Sequence, residues 1–340
     1  MSIPQMHLPA MFALRAAVQR TLLAVVVPAT LAFWTVPAIA EDSYPNRPIH
    51  LVVPFAGGVT DKVSRVFGER LEAILKQPIV VETKAGGSGV VGTRWAAQQP
   101  ADGYTLLVGS DGLSLNAALA SDDTFDPARD LTPIAPIVSF PFLLVTSVNK
   151  PYRDLRDLVT TAKAAPGRLN YATNGVSTGS SLMGEALKSE TGTDIVPIPY
   201  KGGSEQALAL ISGDVDYAFL TTAFVQPYIR DGALKPLAIA THERSAAFTD
   251  VPTVSELGYT TLGKGFTWFA LFAPKGLPDA IRARLEAASG QILADPSFRK
   301  TLAEWDGSPI GTTSQDLAEL LRSQTDLYVK QLAELPAKQN

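Results

Sequence analysis

Three loops gather glycine and hydroxyl side chains where chemistry is easily hosted. They are Phe55-Ala56-Gly57-Gly58-Val59-Thr60-Asp61, Thr173-Asn174-Gly175-Val176-Ser177-Thr178-Gly179-Ser180 and Tyr200-Lys201-Gly202-Gly203-Ser204. Each follows a short apolar run and precedes apolar residues at helical spacing, so each should open a helix. A helix N-terminus carries unsatisfied N–H donors and about half a positive charge. Two such termini facing each other across a cleft would hold a carboxylate without a dedicated Arg. The dipole contributes ~0.3–1 kcal/mol per terminus, and each hydrogen bond to a charged group ~1.5–3 kcal/mol. A few of these reach the ~8 kcal/mol of micromolar binding. The competing reading is ordinary capping, by Thr60 or Asp61 on one helix and Ser180 on another.

Two glycine patterns resemble enzyme motifs. Gly175-Val176-Ser177-Thr178-Gly179 matches G-x-S-x-G, the nucleophile elbow of serine hydrolases, between an expected strand and an expected helix. Asp214, Asp216 or Asp231 and then His242 follow in hydrolase order, and the loop at Gly57-Gly58 could supply an oxyanion hole. An exported serine hydrolase using Ser177 and His242 is therefore the alternative function. Against it, His242 sits beside Glu243 and Arg244 in what reads as a solvated turn. Gly87-Ser88-Gly89-Val90-Val91-Gly92 matches G-x-G-x-x-G, but Glu82 to Gly86 separate it from the strand that a dinucleotide fingerprint must follow directly. It reads as a close-packing glycine loop, and no cofactor is expected.

Composition narrows the classes further. The first acid is Glu41; before it, Arg15 and Arg20 precede an apolar run from Leu22 to Trp34 that ends in Ala38-Ile39-Ala40. This is the layout of a signal peptide over residues 1–40, cleaved after Ala40. The run is broken by Pro28 and is shorter than the ~20 residues that span a bilayer. The chain is therefore expected to be exported. The rest of the chain carries 27 Lys and Arg against 33 Asp and Glu, a net of −6, with no basic run, so nucleic acid is not an expected partner. There is no Cys, and only His50 and His242 remain after the leader, so no metal site is expected.

The elements that must position the loops alternate. Strand-like runs at Ile49 to Pro54, Ile79 to Val81 and Tyr104 to Val108 alternate with helical spacing at Asp61 to Leu75 and Val90 to Gln99. The rhythm repeats from Leu155 to Ala240. Phe142 to Val148 and Phe266 to Phe272 could carry the chain between two halves, and helices should fill Pro278 to Leu293, Ser297 to Trp305 and Ser314 to Glu334. Such alternation predicts an α/β fold of mostly parallel strands, and the length suits two lobes. Trp268, in an aromatic stretch, reads as a core or hinge residue.

Several ordered segments carry a family resemblance. They are YPNRPIHLVVPFAGGVTD (Tyr44 to Asp61), IVVETKAGGSGVVG (Ile79 to Gly92), ADGYTLLVGS (Ala101 to Ser110), FDPARDLTPIAPI (Phe125 to Ile137), APGRLNYATNG (Ala165 to Gly175), VPIPYKGGSEQALALISGDVDYAF (Val196 to Phe219), DVPTVSELGY (Asp250 to Tyr259) and WFALFAPKGLP (Trp268 to Pro278). With them the chain resembles the Bug family, the TctC-like extracytoplasmic solute receptors of tripartite tricarboxylate transporters. The resemblance implies a type II periplasmic binding protein of the Venus-flytrap kind, not an enzyme. Lobe 1 would hold residues 44–142 and 265–340, and lobe 2 residues 143–264. It implies a small carboxylic acid ligand, met by Phe55, Gly57, Gly58, Thr60 and Asp61 from one lobe and by Ser177, Thr178, Gly179 and Ser180 from the other. Ser110, Tyr200, Lys201 and Thr221 would line the rest. It further implies a monomer that docks on the membrane components of a transporter or, as family members sometimes do, signals to a sensor kinase.

Departures from the family pattern bear on the ligand. The first loop is one residue shorter than PFxxGGxTD, Thr83 replaces the usual Asn, and Ser181 the usual His. The MFDN-like segment reads Ala218-Phe219-Leu220-Thr221. Loss of its acid argues against an amino-acid ligand, and Leu220, Thr221, Thr222 and Phe224 suggest a less polar distal pocket. An aliphatic dicarboxylate or an aromatic acid would suit it. A carboxylate beside Asp61 would be repelled unless that side chain turns outward.

Overall fold

The computed structural model describes residues 44–119, 125–260, 262 and 265–334. The expected signal peptide lies outside the described residues. Two five-stranded sheets form the scaffold, joined through one long strand. Strands β1 (Ile49–Val53), β2 (Ile79–Thr83), β3 (Thr105–Ser110), β9 (Phe266–Pro274) and residues 131–141 of β4 (Leu131–Ser147) make the first sheet, in the order β2-β1-β3-β9-β4. Strands β5 (Asn170–Thr173), β6 (Val196–Pro199), β7 (Tyr217–Thr221), β8 (Leu234–Ile239) and residues 142–147 of β4 make the second, in the order β6-β5-β7-β4-β8. In each sheet four strands run one way and one runs against them, β9 in the first and β4 in the second. The reversed strand is in each case the one arriving from the other half. The result is a two-lobed α/β protein whose lobes share one strand order.

Strand alternation sorts the second core onto two faces. Leu144, Tyr171, Tyr217 and Phe219 pack on one face with Leu187; Leu143, Val145, Ala172, Ala218 and Leu220 pack on the other with Leu210. Both faces are apolar because helices cover both, as the near-continuous apolar runs require. In the first lobe Trp268, fully buried on β9, packs with Val52, Leu107, Phe272 and Leu321.

Helices α1 (Val59–Leu75), α2 (Val90–Ala97) and α3 (Gly112–Leu119) follow the first three strands, and α4 (Pro127–Asp130) precedes β4. Helices α5 (Leu155–Ala164), α6 (Gly179–Thr191), α7 (Gly203–Ser212) and α8 (Thr222–Arg230) belong to the second lobe; α9 (Asp279–Ala294), α10 (Pro296–Glu304) and α11 (Ser314–Glu334) follow the return strand. On α1, Val63, Phe67 and Leu71 recur at i, i+4 and i+8 and are all buried.

Three features escape the sequence pattern. The first half of β4 holds Pro133, Pro136 and Pro141, which argue against a strand. Register shifts at Pro133/Ala135 and Pro136/Val138 accommodate two of them as irregularities. Helix α8 contains Pro227, and α3 is apolar on most sides, so neither shows a clear helical stripe.

Candidate functional site

The loops at the cleft follow the C-terminal ends of strands: β1 leads to Phe55–Gly58, β3 to Asp111, β5 to Asn174–Thr178, β6 to Gly202 and β7 to Thr221. Open α/β sheets place ligands at this edge. Here two adjoining cavities share Phe55, Val59, Thr60, Phe142, Asn174, Ser180 and Thr221 as walls. The lobes meet around them. A β-carbon on Gly202 would overlap the Ala56 carbonyl oxygen, and one on Gly58 would lie 3.5 Å from the Gly203 nitrogen. Gly57 at φ 65° and Gly58 at φ 84° adopt backbone that L side chains avoid, which lets the first loop approach so closely.

Helix starts supply the polarity. The first residues of α1, α3, α6 and α7, and Thr221 just before α8, line one cavity or the other. The residues preceding α1, α6, α7 and α8 (Gly58, Thr178, Gly202 and Thr221) make no side-chain capping bond. These amides are therefore free of the usual internal acceptor and can turn to an anion. Thr221 is 6% exposed and its Oγ1 has no hydrogen-bond partner. A buried hydroxyl left unmatched costs ~1–3 kcal/mol, so a polar atom in the cavity would be strongly favoured there.

Charge in the cavities comes from one carboxylate. Among the described residues lining them there is no Lys, Arg or His, and Asp111 is the single ionisable side chain. Asp111 is 3% exposed. It accepts a hydrogen bond from Thr267 Oγ1, its Oδ2 lies against Gly179 at the start of α6, and the nearby backbone amides of Gly179 and Trp268 favour its charged form. A first-lobe carboxylate thus sits at the start of a second-lobe helix. Burial pushes its carboxyl up to about 6, against the opposing pull of those hydrogen bonds.

Of the residues expected at the site, Phe55, Gly57, Gly58, Thr60, Ser110, Thr178, Gly179, Ser180 and Thr221 line the cavities. Four are placed elsewhere. Asp61 faces away and pairs with Arg65 at 2.8 Å along α1. Ser177 lies on the seam between lobes, its carbonyl oxygen against Gly112. Tyr200 packs against the second-lobe core, and Lys201 is exposed, its backbone N–H donating to Glu205. His242 is exposed and pairs with Ser255 at 2.9 Å, far from the role a hydrolase would give it. The 87–92 glycine loop is a packing element: Gly89 abuts the Phe55 ring, and Ser88 abuts Gly175 across the cleft.

The sequence reading missed Asp111, Asn174, Phe142, Thr267 and Phe269 as lining residues. Asp111 sits at the same strand-to-helix handover as the three glycine loops, and that position was the available signal. Phe142, Thr267 and Phe269 lie on crossover strands, which no loop motif marks.

The chain matches, over residues 63–333, the model of the "Tripartite tricarboxylate transporter family receptor" family. It is 33% identical to Protein BugT of Bordetella pertussis over 303 residues, 88% of this chain and 93% of that protein. The structure of the periplasmic binding protein BugD superposes with a TM-score of 0.82 at 28% identity, covering 86% of this chain and 98% of the other. MatC of Rhodopseudomonas palustris with bound malate superposes at 0.80 and 30% identity, covering 84% and 99%. With the family model spanning most of its length, this chain belongs to the tripartite tricarboxylate transporter receptors, a family of solute-binding proteins and not of enzymes.

Proposed function

We propose that the protein captures a small carboxylic acid between its lobes in the periplasm and delivers it to the membrane components of a tripartite transporter. The observation that carries this reading is the convergence of four helix starts without side-chain caps on cavities lined by no basic side chain. Such a site suits one anionic group with directed acceptors, held by amides and hydroxyls. MatC, at 30% identity, is seen with bound malate, a small organic acid. We place the lobe boundaries near Phe142 and Gly265, so that β4 and β9 act as the hinge strands. Capture would then be a hinge closure that brings Gly58 and Gly203 together around the acid.

A thermal-shift screen of the chain from Glu41 against small organic acids tests the reading. Ligand at 100 times its dissociation constant adds ~2.7 kcal/mol, a shift of several degrees for a protein of this size. Gly58→Val should abolish the shift while the free protein still folds. No shift with any acid, or an equal shift in the variant, would reject the site.

A further inference from the structure

We propose that Asp111 sets the charge of the cargo: the cleft selects an acid with one carboxylate and, at its far end, an uncharged or protonated hydrogen-bond donor, and it rejects dicarboxylates. This deepens the receptor reading and rests on it.

The cleft already contains a carboxylate of its own, 97% buried, hydrogen-bonded by Thr267 and lying against the α6 start. That anion uses the α6 terminus, which an incoming carboxylate would otherwise occupy. The amides at Gly203 and at the start of α1, and the unpartnered Thr221 Oγ1, remain for the ligand. They suit a single carboxylate.

The cavity that includes Asp111 is walled by Phe55, Phe142 and Phe269 together with neutral hydroxyl and amide residues such as Ser110, Asn174 and Thr221. No basic side chain there offsets the charge. A second ligand carboxylate would sit in a partly desolvated space beside a like charge, where repulsion is far stronger than in water. A hydroxyl or ammonium would instead be attracted. The acid missing from the 218–221 segment is thus supplied from the opposite lobe, which removes the argument against an amine-bearing ligand.

The test uses matched pairs that differ at one end: succinate and 4-aminobutyrate, adipate and 6-aminohexanoate, terephthalate and 4-hydroxybenzoate. Calorimetry on the wild-type chain should give at least about tenfold tighter binding for the donor-ended member of whichever pair binds, a ratio worth about 1.4 kcal/mol. Asp111→Asn and Asp111→Ser should cut that ratio about tenfold or reverse it. The wild-type ratio stands alone if a variant does not fold. A diacid that binds the wild type as tightly as its partner, or a ratio unmoved in a folded variant, overturns the role of Asp111 and leaves the receptor reading intact. Binding of no member of any pair, with no acid active in the broader screen, overturns both.

Discussion

Helix starts at the cleft and helix starts at the outer surface are built differently. At the outside, Asp126, Asp154 and Asp295 each accept a backbone N–H at 2.8 Å from the first turn of α4, α5 and α10. Thr313 and Asp316 close a reciprocal capping box on α11. At the cleft, Gly58, Thr178, Gly202 and Thr221 provide no such bond. The division is not complete, since Gly89 and Pro278 start α2 and α9 without a side-chain cap. A missing cap costs ~0.5–2 kcal/mol. The outer helices are finished locally by their own residues. The cleft helices are left for something from outside the helix to finish, and at the start of α6 Asp111 of the other lobe lies close by. Stability withheld at these termini is available to binding, a common exchange at functional sites.

The sharpest way to break this contrast is Gly202→Ala. Its backbone is extended, at φ 179°, so alanine introduces no local strain, but the methyl group would overlap the Ala56 carbonyl. Affinity should fall about a thousandfold, ~4 kcal/mol, because the closed form is lost. Unfolding of the free protein should change little, and calorimetry with urea denaturation separates the two. Retained affinity would mean that the loops need not meet.

Next in size is the pH dependence carried by Asp111. Its carboxyl is raised from 3.8 to about 6, so between those values the folded protein holds more protons than the unfolded chain. Stability from this group is therefore lost as pH rises through that window, by about 3 kcal/mol in full. Tyr328, which faces it, is itself raised by burial and stays neutral throughout. Urea unfolding of wild type and Asp111→Asn across this range should give diverging profiles, with the wild type losing more; parallel profiles would refute the assignment.

Thr221→Val probes a single open donor. Removing a hydroxyl that has no partner should hold or slightly raise the stability of the free protein, while affinity for the acid falls about tenfold. Asp154→Ala is the outer counterpart. It should cost about 1 kcal/mol of stability and leave affinity unchanged. If both variants behaved alike, the distinction between open and finished helix starts would collapse.

Many of the residues that wall the cavities were legible because their signals are local. Gly57-Gly58, Thr178-Gly179-Ser180 and Thr221 each lie at a strand-to-helix handover, and the chain around each writes both elements in its apolar spacing. The direction of Asp61 was not legible, because its position beside the loop says nothing about where its side chain points; on α1 it finds Arg65 one turn along. Residues 131–141 were hidden by three prolines, which sheet pairing with β9 tolerates through register shifts.

The order of strands and helices and the apolar faces were determined by the sequence itself, because periodicity acts over a few residues. What only the tertiary structure decided is which helix starts converge and what faces them. Asp111 meets Gly179 across 68 positions of chain and Thr267 across 156. A carboxylate's charge, burial and partners at such separations depend on how two lobes close, and no local pattern encodes that distance.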